Sequence, residues 1–110
     1  KSKSAIAPNI IHSMDAAHLL LTVLKGLENN IKDFFLIHDS FATIPAMSHK
    51  MAKVVREAFV EMYEGFDLYK SIYDFVVRDL DNVDELDLPS FPIKGDLDLK
   101  GVLKSDYCFA

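Results

Sequence analysis

His38-Asp39-Ser40 sets an imidazole, a carboxylate and a hydroxyl side by side between two apolar runs, Asp33-Phe34-Phe35-Leu36-Ile37 and Phe41-Ala42-Thr43-Ile44. These are the three groups of a hydrolase triad. A triad, however, needs a spatial relay from nucleophile to base to orienting acid, and adjacent residues on a strand point to opposite faces. The spacing therefore speaks against nucleophilic catalysis. A carboxylate at the tip of an apolar hairpin suits different chemistry: the strands fix its position and the turn exposes it. That is what an oxygen ligand for a hard cation such as magnesium requires. Nucleotidyl transfer uses pairs of such ions to stabilise the attacking and leaving oxygens together. The competing reading is plain turn chemistry, because Asp and Ser favour tight turns whatever the function, and spacing alone favours it.

A second group, His12, Asp15 and His18, sits where a helix is expected to begin. Zinc would use such residues, but no cysteine lies nearby and no second ligand pair has metal spacing. Capping by Ser13 and a first-turn anion at Asp15 account for the same residues. His49 is expected on a solvated surface, and the Met, Val and Phe stripe that follows it is expected to be core.

The elements that would position these groups follow from periodicity. Ala16, Leu19, Leu20, Val23, Leu24 and Leu27 recur at helical spacing and predict a helix over 13–27, ended by Gly26 and Asn29-Asn30. The two apolar runs around Asp39-Ser40 predict a β-hairpin. Met51, Val54, Val55, Ala58, Phe59, Met62 and Tyr63 predict a helix over 47–64 with Gly65 as its stop. Leu68, Ile72, Phe75, Val76 and Leu80 suggest a third helix. Residues 81–87 read as a charged linker, Pro89-Ser90-Phe91-Pro92 must be extended, and a short tail follows. Tyr107 and Phe109 are expected to staple that tail to the third helix. The fold class is thus mixed α/β and mostly helical, with 1–80 as one unit and 81–110 as linker and foot.

The chain has 110 residues, half of them hydrophobic and 26% charged, which suits a folded domain and not a disordered segment. One cysteine, Cys108, makes neither an internal disulfide nor a thiolate zinc site by itself. No uninterrupted apolar run approaches the ~20 residues of a membrane span, so no membrane partner is expected and the location is read as cytoplasmic. A formal charge of −5 argues against a free-standing module that grips nucleic acid through a basic patch. Lys1 leads almost directly into a motif, so a break within a longer protein is expected.

Several stretches then line up in one order. Ala7-Pro8-Asn9-Ile10-Ile11-His12-Ser13, with Asp15, His18 and Leu19, precedes Ile37-His38-Asp39-Ser40-Phe41. Pro89-Ser90-Phe91-Pro92, Gly95, Leu97-Asp98-Leu99 and Ser105-Asp106-Tyr107-Cys108-Phe109-Ala110 follow. Taken together they resemble the C-terminal part of the single-subunit, bacteriophage-type RNA polymerases that serve certain phages, mitochondria and chloroplasts. Family A DNA polymerases share the His-Asp hairpin but usually continue with glutamate, where this chain has Ser40. Ala42 and Cys108 depart from the family's usual residues.

The resemblance implies a palm hairpin in which Asp39 binds catalytic Mg2+ and His38 supports the primer terminus beside it. It implies that His12 faces the minor groove of the newest base pair. It also implies that the terminal Phe109-Ala110 foot folds back toward the active site. The expected reaction is template-directed addition of ribonucleotides to an RNA 3′ end, with DNA template, RNA product, ribonucleoside triphosphates and the N-terminal remainder of the polymerase as partners. The partner aspartate and the triphosphate-handling fingers residues are absent, so the isolated chain is expected to be inactive. A phage enzyme would work in the host cytoplasm; mitochondrial or plastid origin stays open. The alternative class is a non-enzymatic, acidic helical interaction module in which Asp39 is only a turn residue.

Overall fold

The computed structural model describes residues 3–78 and 89–108. Its first helix, α1 (Lys3–Glu28), starts well before the expected position near Ser13. Pro8 lies in the second turn, where its missing N–H removes one ladder bond without ending the helix. Ser13 does not cap: its hydroxyl donates back to the Asn9 carbonyl at 2.8 Å, and Asp15 is consequently mid-helix. The buried face is also different from the expected one. Met14, His18 and Thr22, one turn apart, are buried, whereas Leu20, Leu24 and Leu27 are 52–63% exposed. The partner helix covers the first set and leaves the leucine stripe open. By length and composition α1 matches a membrane span over Ser4–Glu28, contrary to the reading from uninterrupted runs, although its Met14–Thr22 face packs against protein.

The end of α1 is set by hydrogen bonds that turn the chain back. Asn30 has φ 62°, the left-handed region that Asn tolerates better than most residues. Asn30 N–H donates to the Leu27 carbonyl and Ile31 N–H to the Gly26 carbonyl, the two bonds of a Schellman motif. The motif drives Ile31 into the core, where it is 0% exposed beside Met51, Val54 and Val55. Gly26 leaves room for the Phe34 ring: a Cβ there would lie 2.6 Å from it, so the ring would have to shift.

The hairpin pairs β1 (Phe35–Ile37) antiparallel with β2 (Ser40–Ala42), in the register Phe35 with Ala42, Leu36 with Phe41 and Ile37 with Ser40. Alternation puts Leu36 and Phe41 on one face against the core cluster, while Phe35 and Ile37 face outward, 66% and 52% exposed. Below the strands, the Thr43 hydroxyl donates to the Asp33 carbonyl at 2.7 Å and closes the base of the hairpin. Pro45–Met47 forms a 3₁₀ turn that leads into α2 (Ser48–Gly65). This helix buries Met51, Val54, Val55 and Ala58 as expected from their spacing, and Val60 besides; Gly65 is its last residue and not a residue beyond it.

Helix α3 (Leu68–Arg78) opens with the Asp67 carboxylate accepting the Lys70 N–H at 3.1 Å, a cap the periodicity did not reveal. None of its residues is fully buried. Residues 89–94 run without regular secondary structure beside it, with Phe91 against Tyr73 at 5.1 Å between ring centroids and Lys94 paired with Asp67. The tail forms a 3₁₀ helix (Leu99–Lys104) that packs on α2, not α3. Tyr107 is 88% exposed and does not act as the expected staple. The Arg56 guanidinium holds the tail instead, donating to the carbonyls of Ser105 at 3.1 Å and Asp106 at 3.2 Å. Leu80, the 81–87 linker, Phe109 and Ala110 lie outside the described residues.

Gly26→Ala is expected to destabilise the fold by about 1–3 kcal/mol, the usual cost of overpacking, because Phe34 must leave its seat on the core. Thr22→Val, one turn earlier on the same buried face of α1, is expected to be neutral or stabilising, since the buried Thr22 hydroxyl has no hydrogen-bond partner. Denaturant midpoints of the two variants check this pair of outcomes.

Candidate functional site

The hairpin turn consists of His38 and Asp39; Ser40, read from sequence as part of the turn, opens β2 opposite Ile37. His38 has φ 53° and Asp39 does not share this sign. Positive φ at the first of two central residues is a position where hairpins prefer glycine. A histidine there stores on the order of 1 kcal/mol of backbone strain, which the paired strands on either side must hold. Both side chains are exposed at the tip.

Three hollows meet at Asp39, two of them large. On the α1 side, His12, Asp15 and Leu19 join His38 and Asp39 around a cleft of about 710 Å³. His12 and Asp15 are three residues apart on one helical face, and α1 carries them opposite the turn. The structure therefore places His12, His38 and Asp39 on one cleft. On the α2 side, Asp39, Ser40, Thr43, Arg56 and Cys108 line a cavity of about 500 Å³. The tail thus returns to the hairpin through Cys108, while Phe109 and Ala110 lie beyond the described residues.

His18 does not face the cleft as a partner of His12 and Asp15. It is 6% exposed, and its Nε2 lies 3.1 Å from the Val55 carbonyl. Burial, reinforced by the nearby Asp15 charge, pushes the Tyr63 phenol above its ordinary value. Burial likewise raises the Cys108 thiol, with Arg56 opposing in part. Among the described residues, no three His, Cys, Asp or Glu side chains converge in a way that would hold a metal ion by themselves.

Sequence reasoning grouped Asp15 with His12 and His18 and read it as a helix-start anion, and it did not find Arg56 or the return of Cys108 to the hairpin. Asp15 could have been found from the i, i+3 spacing with His12, had the earlier helix start been recognised. Arg56 meets the tail across about fifty residues of sequence, and nothing in the local pattern signals that contact.

Residues 1–83 match the family model of the DNA-dependent RNA polymerases. The chain is 43% identical over 111 residues to T7 RNA polymerase of Escherichia phage T7, which covers all of this chain and 13% of that relative. It is 36% identical over 132 residues to the mitochondrial DNA-directed RNA polymerase of Schizosaccharomyces pombe, covering 11% of that relative. It is 33% identical over 109 residues to DNA-directed RNA polymerase 1A of Nicotiana tabacum, covering 67% of that protein. The chain belongs to the DNA-dependent RNA polymerase family. It spans a small part of the length of the phage relatives it matches.

The raised Cys108 acidity constant makes its reactivity checkable. Only the thiolate attacks, so alkylation by iodoacetamide is expected to be slower than that of an unhindered cysteine. Its rate–pH curve is expected to be displaced to higher pH than that of an unhindered cysteine in the same buffer. Rates measured from pH 7 to pH 10 check the direction.

Proposed function

We propose that this chain is the C-terminal catalytic part of a single-subunit DNA-directed RNA polymerase, with the hairpin belonging to its palm. The observation that carries this reading is the placement of Asp39: an exposed carboxylate on a strained two-residue turn, facing a cleft whose far wall presents His12 and Asp15. The reaction is attack of the RNA 3′-hydroxyl on the α-phosphorus of a ribonucleoside triphosphate, with pyrophosphate leaving.

The donors fit Mg2+ as a shared site. Asp39 offers exposed carboxylate oxygens of the hard type the ion prefers, and its solitary position suits an ion held by one or two carboxylates plus phosphate oxygens. When bound, the ion supplies charge stabilisation for the attacking and leaving oxygens. The chain's own residues do the placing. Asp39 fixes one ligand position, and His38 stands at the primer terminus beside it. His12 reaches across the cleft toward the minor groove of the newest base pair. Cys108 lines the hairpin cavity on the tail side. The second carboxylate and the triphosphate-handling residues come from the remainder of the polymerase, so the isolated chain does not polymerise.

A chimera in which this chain replaces the matching segment of the phage T7 polymerase tests the reading. Asp39→Asn in that chimera is expected to lower nucleotide addition by at least about a hundredfold while template binding stays intact, because a metal charge is lost and the fold is not. Extension near the unsubstituted level would overturn the assignment. The isolated chain, with a formal charge of −5, is expected to bind duplex or hybrid more weakly than about micromolar at moderate salt, measured by anisotropy.

A further inference from the structure

The hairpin tip must be held in place from below, and one side chain joins the three elements around it. His18 projects from the buried face of α1. The Val55 carbonyl can only accept, so His18 must carry its proton on Nε2 and donate to α2 at 3.1 Å. The imidazole ring then meets Phe41 of β2 at 5.4 Å and 72°, and Phe59 of α2 at 5.7 Å and 89°, both edge-to-face. Phe41 is two residues beyond Asp39 and pairs across the hairpin with Leu36. The same ring borders the small recess that also touches Asp15, His38, Asp39 and Tyr63.

We propose that His18 is a positioning residue for the His38-Asp39 turn: anchored to Val55, it fixes Phe41, and through Phe41 it sets where Asp39 stands relative to His12 and Asp15. A leucine would fill the same space, but it would have neither a donor to fix its orientation nor a ring edge to orient Phe41. The hydrogen bond to a helix carbonyl removes the ring's freedom to rotate, and the edge-to-face contact transmits that orientation to β2. A shift of about 1 Å at a reacting group can cost two orders of magnitude in rate, so a small rotation at Phe41 is felt in chemistry before it is felt in stability.

The proposal rests on the polymerase reading, and the experiment separates the two. In the T7 chimera, His18→Gln keeps a donor without the ring, and Phe41→Leu keeps the apolar volume without an aromatic face. Each is expected to lower kcat for single-nucleotide addition about tenfold, a fraction of the loss a 1 Å displacement can cause, while KM for the triphosphate and template affinity change less than about threefold. Because both act through one contact, the double variant is expected to lose about tenfold and not the hundredfold of independent effects. Melting curves of the three variants accompany the kinetics. Normal kcat with lowered melting, or losses that multiply to about a hundredfold, would overturn the positioning role. A chimera inactive before any substitution would overturn the polymerase reading, and this proposal with it.

Discussion

The structure depends on one face of a very short hairpin being buried. Two strands of three residues each make too little sheet to stand alone, and Leu36 and Phe41 are the pair through which this one is held. They rest on Ile31, Met51, Val54 and Val55, so the turn that carries Asp39 is as well placed as that cluster is well packed. Full burial of an aliphatic side chain such as Ile31 contributes about 2 kcal/mol, enough to offset the strain stored at His38 and at Asn30. The strained turn is thus a consequence of good packing beneath it and not a defect of the tip.

Around that support the elements divide their work. α2 supplies the floor with Met51, Val54 and Val55 and holds the tail through Arg56. α1 supplies the opposite wall with His12 and Asp15, and its Schellman turn delivers Ile31 to the core. The outer surfaces are left apolar: Leu20, Leu24 and Leu27 on α1 and Phe35 and Ile37 on β1 are exposed.

Where the sequence was legible, local pattern and tertiary packing agreed. The α2 stripe of Met51, Val54, Val55 and Ala58 is apolar and buried, and the β-branched and aromatic runs around His38-Asp39 formed the strands. α1 differs from its sequence pattern in both extent and face. The helix runs through Pro8 to Lys3, and Ser13, whose residue type suits a cap, bonds back to the Asn9 carbonyl within it. The buried face carries Met14, His18 and Thr22, which hydropathy does not distinguish, while the leucine stripe that it does distinguish is open in this chain. Of the site, Asp39, His38 and His12 were named from motif order, but their sharing of one cleft required the true course of α1. Arg56 and the return of Cys108 to the hairpin are long-range contacts with no local signature.

The proposed reaction centre lies between the His38-Asp39 turn and the His12-Asp15 face of α1. The most direct measurement replaces magnesium with Fe2+ in the T7 chimera bound to template, primer and triphosphate, and maps where peroxide-generated hydroxyl radicals cut the backbone. Cleavage is expected to concentrate at residues 38–40 and 12–16, to be reduced in Asp39→Asn and to be absent around Asp67 and Lys94. Cleavage that spares the hairpin turn, or that is unchanged when Asp39 is substituted, would contradict it.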